Sequence, residues 1–153
     1  MVLYIIGGSI LALSAFAILG NRIQKKEIQE IFSDIQKLES IYLDYVEQKI
    51  NHQIIKTDDI DLDAESLRKE ILTYLKPHID SVINHINRLE FSSIDIPETS
   101  ARFNNVTSTA EILIVNKEKN EDKQLTPEQK NTFIQSVSDT VHSDLQERIL
   151  RLK

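Results

Sequence analysis

The hydrophobic pattern of the chain has two regimes. From Val2 to Gly20, nineteen apolar or small residues follow one another, and no charged side chain occurs between Met1 and Asn21. From Ile23 onward, apolar residues recur at three- and four-residue steps among charged ones, the pattern of helices with one buried stripe. At 1.5 Å per residue, a helix of the first kind crosses roughly the 30 Å hydrocarbon core of a bilayer. A helix that is apolar all round needs burial on every side. A chain of 153 residues with otherwise amphipathic segments has no interior large enough to supply it. Residues 1–21 are therefore predicted to form a single transmembrane anchor, with the remainder a helical domain held at the membrane surface.

Arg22, Lys25 and Lys26 follow the apolar run. The positive-inside rule then puts the C-terminal domain on the cytoplasmic side of an inner membrane. A cleavable signal peptide is the competing reading, because Ala15-Phe16-Ala17 has the small-x-small form of a cleavage site. Charge that follows the apolar stretch, instead of preceding it, favours the anchor. Within the run, Gly8 and Ala12 are four apart and Ala15 lies nearly on the same face, a spacing that lets two membrane helices approach closely. Such small residues are also common in membrane helices that pair with nothing.

The next segment, 22–50, reads as a long amphipathic, coiled-coil-like helix. Ile28, Ile31, Ile35, Leu38, Tyr42 and Tyr45 fall at steps of 3, 4, 3, 4 and 3, and Phe32, Ile41 and Val46 widen the stripe. Carried backward in register, the seam meets Ala17, Ser14 and Gly7, so self-association along one continuous line is an expectation. The alternative is that the stripe packs on helices of its own chain.

Residues 51–62 read as an acidic connection. A helix over 63–91 follows, capped by Asp63, with Leu67, Ile71, Leu75, Ile79, Val82, Ile86 and Leu89 on one face. Pro77 predicts a kink or break near Lys76, because proline lacks a backbone donor and clashes one turn back. Residues 92–125 are irregular, with Pro97 and a Ser, Thr and Asn-rich stretch from Thr99 to Thr109. Ile112–Val115 reads as a strand by β-branching, with Ile94–Ile96 or Arg102–Val106 as partner. It reads equally as a helix, since Ser108 and Glu111 fit a capping box. Lys117 to Gln124 is charged and is expected to be solvated and mobile. A last helix over 126–153 is announced by Thr126 as cap and Pro127 at the first position. Its face is Phe133, Ile134, Val137, Val141, Leu145, Ile149 and Leu152. The fold class is mainly α: one transmembrane helix, a long amphipathic helix and a small helical bundle, with a short β element near 94–116 left open.

Composition narrows the function. The net charge is −6 and Lys and Arg are scattered singly, so no nucleic-acid footprint is visible. There is no cysteine, which excludes disulfides, thiolate catalysis and Cys-based zinc sites. All three glycines precede Asn21, so Gly-rich phosphate loops are not to be found in the soluble part.

The candidate chemistry is thin. Asp59, Asp61, Asp63, Glu65 and Glu70 match positions 1, 3, 5, 7 and 12 of a calcium-loop template. Ala64 replaces the turn glycine, however, and an acidic helix start explains the same residues. His78 and His85, two turns apart on one helix, have no third ligand at matching spacing and read as surface histidines. Asn105-Val106-Thr107 is a glycosylation sequon that needs a lumenal setting. No nucleophile elbow, phosphate loop or HExxH occurs. No catalytic residue, cofactor or metal is assigned. The reading is a membrane-anchored, non-enzymatic scaffold or regulatory subunit of a membrane complex, with the bilayer, itself and other complex proteins as partners. Interaction is expected at Gly8, Ala12, Ile28, Ile31, Ile35, Leu38, Tyr42 and Tyr45. An exported envelope or pilus-like subunit is the alternative, and an enzyme of unknown type the third.

Overall fold

A computed structural model describes residues 26–27, 29–49, 59–89 and 101–152. The described residues form four helices and no strand: α1 (29–49), α2 (Ile60–Arg88), α3 (Asn104–Lys117) and α4 (Pro127–Leu152). None of them is long and apolar enough to cross a membrane. The apolar run at 2–20, with Gly8 and Ala12, lies outside the described residues, as do Ile28 and the Ile94–Ile96 segment.

Side-chain pairs set the helix directions. Asp34 near the start of α1 meets Ser81 (3.4 Å) and His85, whereas Tyr45 and Lys49 near its end meet Glu70, each at 2.6 Å. α1 and α2 are therefore antiparallel. Asp61 accepts from Gln146 Nε2 at 2.6 Å, Arg68 donates to Ser138 at 2.6 Å, and Asn87 accepts from the Leu125 amide at 2.8 Å. α2 and α4 are thus antiparallel along their whole length. The end of α3 reaches the end of α2 through Lys117 and Leu89, so these two run the same way. The order is up, down, down, up.

The core is built by the stripes. Ile31, Ile35, Leu38, Tyr42 and Val46 of α1 are buried with Leu67, Ile71, Leu75, Ile79, Val82, Ile83 and Ile86 of α2, and with Phe133, Val137, Val141, Leu145 and Ile149 of α4. Each such large aliphatic residue contributes about 1.5–3 kcal/mol by leaving water. The seam expected to join two copies is used within one chain: Ile31, Ile35, Leu38 and Tyr42 are each at most 1% exposed. A wide stripe with Val46 on it fits three neighbouring helices better than the narrow contact of a two-helix coil. Tyr45 lies at the margin, stacked on Tyr74 with centroids 4.4 Å apart.

Several boundaries differ from expectation. Asp59, not Asp63, caps α2, accepting from the amides of Asp61 (3.0 Å) and Leu62 (3.2 Å). Asp63 is instead a buried first-turn residue. The helix runs unbroken across Pro77. Pro77 and Thr73, the residue whose carbonyl proline leaves without its helical donor, are both exposed. The strand reading of Ile112–Val115 is overturned, as is Arg102–Val106 as its partner. Phe103, Val106, Ala110, Leu113, Ile114 and Lys117 form a buried helical stripe, with Ser108 and Glu111 in mid-helix instead of at a cap. On α4, Thr126 and Gln129 form a reciprocal capping box at 3.2 and 2.9 Å. Ile134 and Leu152, expected on the buried face, are exposed.

The 117–124 segment is largely exposed, as expected, but it is anchored by hydrogen bonds. Lys117 is 1% exposed, and its Nζ donates to the carbonyls of Leu89 and Lys123 (3.3 Å). Asn120 bonds Gln124 and Gln129, and Gln124 bonds the Asn87 carbonyl at 3.1 Å. Lys123 holds a left-handed backbone (φ 57°) that a glycine would adopt more readily. Residues 21–153 contain no glycine to offer.

Candidate functional site

The most concentrated polar chemistry surrounds Asp144. It sits on α4 one residue before Leu145, inside the apolar stripe, and is buried. A carboxylate in that position must be satisfied by donors. Three converge on it. The Tyr42 hydroxyl donates from α1, Arg148 Nε donates from one turn along α4 at 2.6 Å, and Arg102 Nε donates from the turn before α3 at 3.0 Å. Arg102 also reaches Glu39 at 3.5 Å. Phe103, next to Arg102, is fully buried with its ring 6.1 Å from that of Tyr42. The cluster therefore joins α1, α3 and α4 at one point.

Its electrostatics follow from burial and pairing. Burial alone would raise the Asp144 carboxyl. The hydrogen bonds from Tyr42 and Arg148, with the charges of Arg148 and Arg102, outweigh burial and hold it below the ordinary carboxylate range. Burial, then the hydrogen bond to Asp144, push the Tyr42 hydroxyl far above its ordinary value. Burial disfavours the Arg148 cation, but pairing with Asp144 holds its proton more firmly.

Outside the cluster lies an open groove of about 710 Å³, lined among others by Asn105, Asp139, Ser143, Glu147 and Arg151. Arg102, Arg148 and Arg151 face it together with Asp139, Asp144 and Glu147, so cationic and anionic side chains balance. An anion finds no net attraction there. Asp144 accepts three hydrogen bonds from a fixed tyrosine and two guanidinium groups, which leaves it poorly placed to take a proton from a substrate. As chemistry, the arrangement is a clamp.

Two smaller clusters tie helix pairs. Between α2 and α4, Arg68 donates to Ser138 while pairing with Glu65 of its own helix, and that pairing holds the Glu65 carboxyl below its usual range. His142 lies 3.8 Å from Glu65, its buried Nδ1 without a hydrogen bond. Between α1 and α2, Glu70 receives Tyr45 and Lys49, and Lys49 also lies 5.4 Å over the Tyr45 ring.

The residues of the calcium-loop template do not converge. Residues 60–70 are helix, so Asp61, Asp63, Glu65 and Glu70 are distributed around and along α2 while Asp59 caps it. Asp61 binds Gln146, and Glu70 binds Tyr45 and Lys49. Among the described residues, no group of three or more such side chains could hold a metal ion. His85, read as a surface residue, is half-buried and pairs with Asp34. The Asp144 cluster lies outside every candidate site that the sequence offers. Its signal was a charged residue within the α4 stripe with an arginine four residues on. Nothing among known protein families, curated proteins or solved structures matches this chain.

Proposed function

We propose that the chain is a membrane-anchored, non-enzymatic scaffold or regulatory subunit that acts through protein–protein contacts of its helical domain. The observation that carries this reading is the pairing of a charge-free apolar run at 2–20 with a helical bundle whose buried polar groups tie helices together. A carboxylate saturated by three donors suits a rigid binding module better than acid–base catalysis. Arg22, Lys25 and Lys26 favour a cytoplasmic domain. Since the α1 seam is occupied within the bundle, self-association rests on Gly8 and Ala12 in the lipid. Contacts with other proteins fall to exposed side chains, among them Leu62, Leu150 and Leu152.

The test is made in membranes. Full-length chain should stay in the pellet after carbonate extraction, and a reporter at Lys153 should be active only on the cytoplasmic side. Chemical crosslinking in intact membranes should then join it to a protein partner in a complex weakened by Leu150→Glu. Release by carbonate would refute the anchor. A periplasm-active reporter would favour the exported, pilus-like reading.

A further inference from the structure

Resting on the anchored reading, a further step concerns which part of the bundle meets the lipid. We propose that the bundle stands on end on the bilayer, with the 118–125 turn as its lipid-facing foot and the Asp144 groove held away in the aqueous phase. Three observations carry this. The first is where the chain enters. Helical structure is already present at Lys26, and the apolar run ends at Gly20. The residues between, 21–25, span at most about 18 Å even when fully extended. Whatever surrounds the start of α1 must therefore lie close to the headgroups.

The second is what surrounds it. Asp34 near the start of α1 pairs with His85 near the end of α2, and α2 ends where Lys117 and Gln124 reach Leu89 and Asn87. The start of α1, the end of α2, the end of α3 and the 118–125 turn thus share one end of the bundle. The Asp144 groove, with Leu62 and Leu150, lies toward the other. From Pro127 to Leu150, α4 rises about 35 Å.

The third is that the long sides offer headgroups little net positive charge. Three exposed cations there are paired with carboxylates one turn along the same helix: Lys69 with Glu65, Lys76 with Asp80, Arg151 with Glu147. The long sides carry no basic stripe that would draw them down onto anionic headgroups. Standing on end brings the smallest area to the surface. A partner then approaches from solution, about 25 Å above the foot at Asp144 and about 35 Å above it at Leu150.

The absence of cysteine makes the test direct. Full-length Glu121→Cys and Leu150→Cys are each labelled with a fluorophore and reconstituted into phosphatidylcholine vesicles containing a headgroup spin-labelled lipid. Flotation is read first. A folded chain that does not float with the vesicles refutes the anchor, and this proposal with it. For chain that floats, the label at residue 121 should be quenched several-fold more strongly than that at residue 150. Equal quenching would mean a bundle lying flat, and stronger quenching at residue 150 an inverted one. Either result overturns the proposal while leaving the anchor intact.

Discussion

The two ends of the bundle are closed by different chemistry. At the end where α2 and α3 finish, the bonds run to backbone carbonyls: Lys117 to Leu89 and Lys123, Gln124 to Asn87, Asn120 to Gln124. Toward the other end a single carboxylate, Asp144, gathers a hydroxyl and two guanidinium groups from three parts of the chain. Backbone carbonyls do not titrate, so acid leaves these acceptors unchanged. A carboxylate holds guanidinium donors far more weakly once it is protonated. In acid, one end therefore keeps its acceptors, and the other is conditional on the charge of one residue.

The sharpest way to break this comparison is Asp144→Ala. It strands Tyr42, Arg102 and Arg148 together, and removing one partner of a buried pair leaves uncompensated charge. A loss of about 3 kcal/mol is expected, measured by urea unfolding of the detergent-solubilised chain. A loss under about 1 kcal/mol would show that the cluster behaves as an exposed ion pair. Lys117→Met comes next. Two carbonyls lose their donor while the aliphatic stem stays packed, so about 2 kcal/mol is expected. The fraction lost should be the same at mildly acidic and neutral pH.

How much of this was legible varies by helix, for physical reasons. α4 was readable because its cap residues, Thr126, Pro127 and Gln129, have separate uses and occur together. α2 was readable in its stripe but not its start, since Asp59 and Asp63 are equally good caps one turn apart. α3 was hidden because its sequence is apolar on two sides: Leu113 and Ile114 face the core, whereas Ile112 and Val115 face solvent. A run of four aliphatics then carries no periodicity. The Asp144 cluster was invisible because a charge in an amphipathic helix is ordinarily solvated. Its partner Arg102 stands in a Ser, Thr and Asn-rich stretch that reads as loop, 42 residues away. The α1 seam is legible as apolar, but heptad spacing alone does not tell a partner chain from the same chain.

Acid sharpens the contrast. The Asp144 carboxyl is held below its ordinary value in the folded chain, against about 3.9 when unfolded. Its contribution is then complete above about pH 4 and is lost as pH falls through the lower folded value. Hydrogen exchange should show protection falling first around Arg102 and Asp144, while the amides of Leu89 and Leu125 stay protected. Asp144→Asn should remove the difference between the two ends. Simultaneous loss at both would mean that the bundle opens as one unit.

The smallest expected effect is that of Tyr42→Phe, and it separates the hydroxyl from the ring. The ring stays buried against Phe103, and Asp144 keeps both arginines, so only one hydrogen bond to a charged acceptor is lost. About 1.5 kcal/mol at neutral pH is expected. The informative part is the alkaline limb. Burial and the Asp144 bond push the Tyr42 hydroxyl far above the unfolded value of about 10. The folded chain therefore keeps a proton that the unfolded chain releases, and stability falls as pH rises above about 10. Tyr42→Phe should flatten that fall. It should not abolish it, because burial and Glu70 also raise the Tyr45 hydroxyl. Adding Tyr45→Phe should remove a further, smaller portion, since Tyr45 is less buried. Unfolding midpoints measured from about pH 8 to 11 on both variants check this. An alkaline limb unchanged in Tyr42→Phe would mean that the hydroxyl does not donate to Asp144, and that the conditional end is held by its two arginines alone.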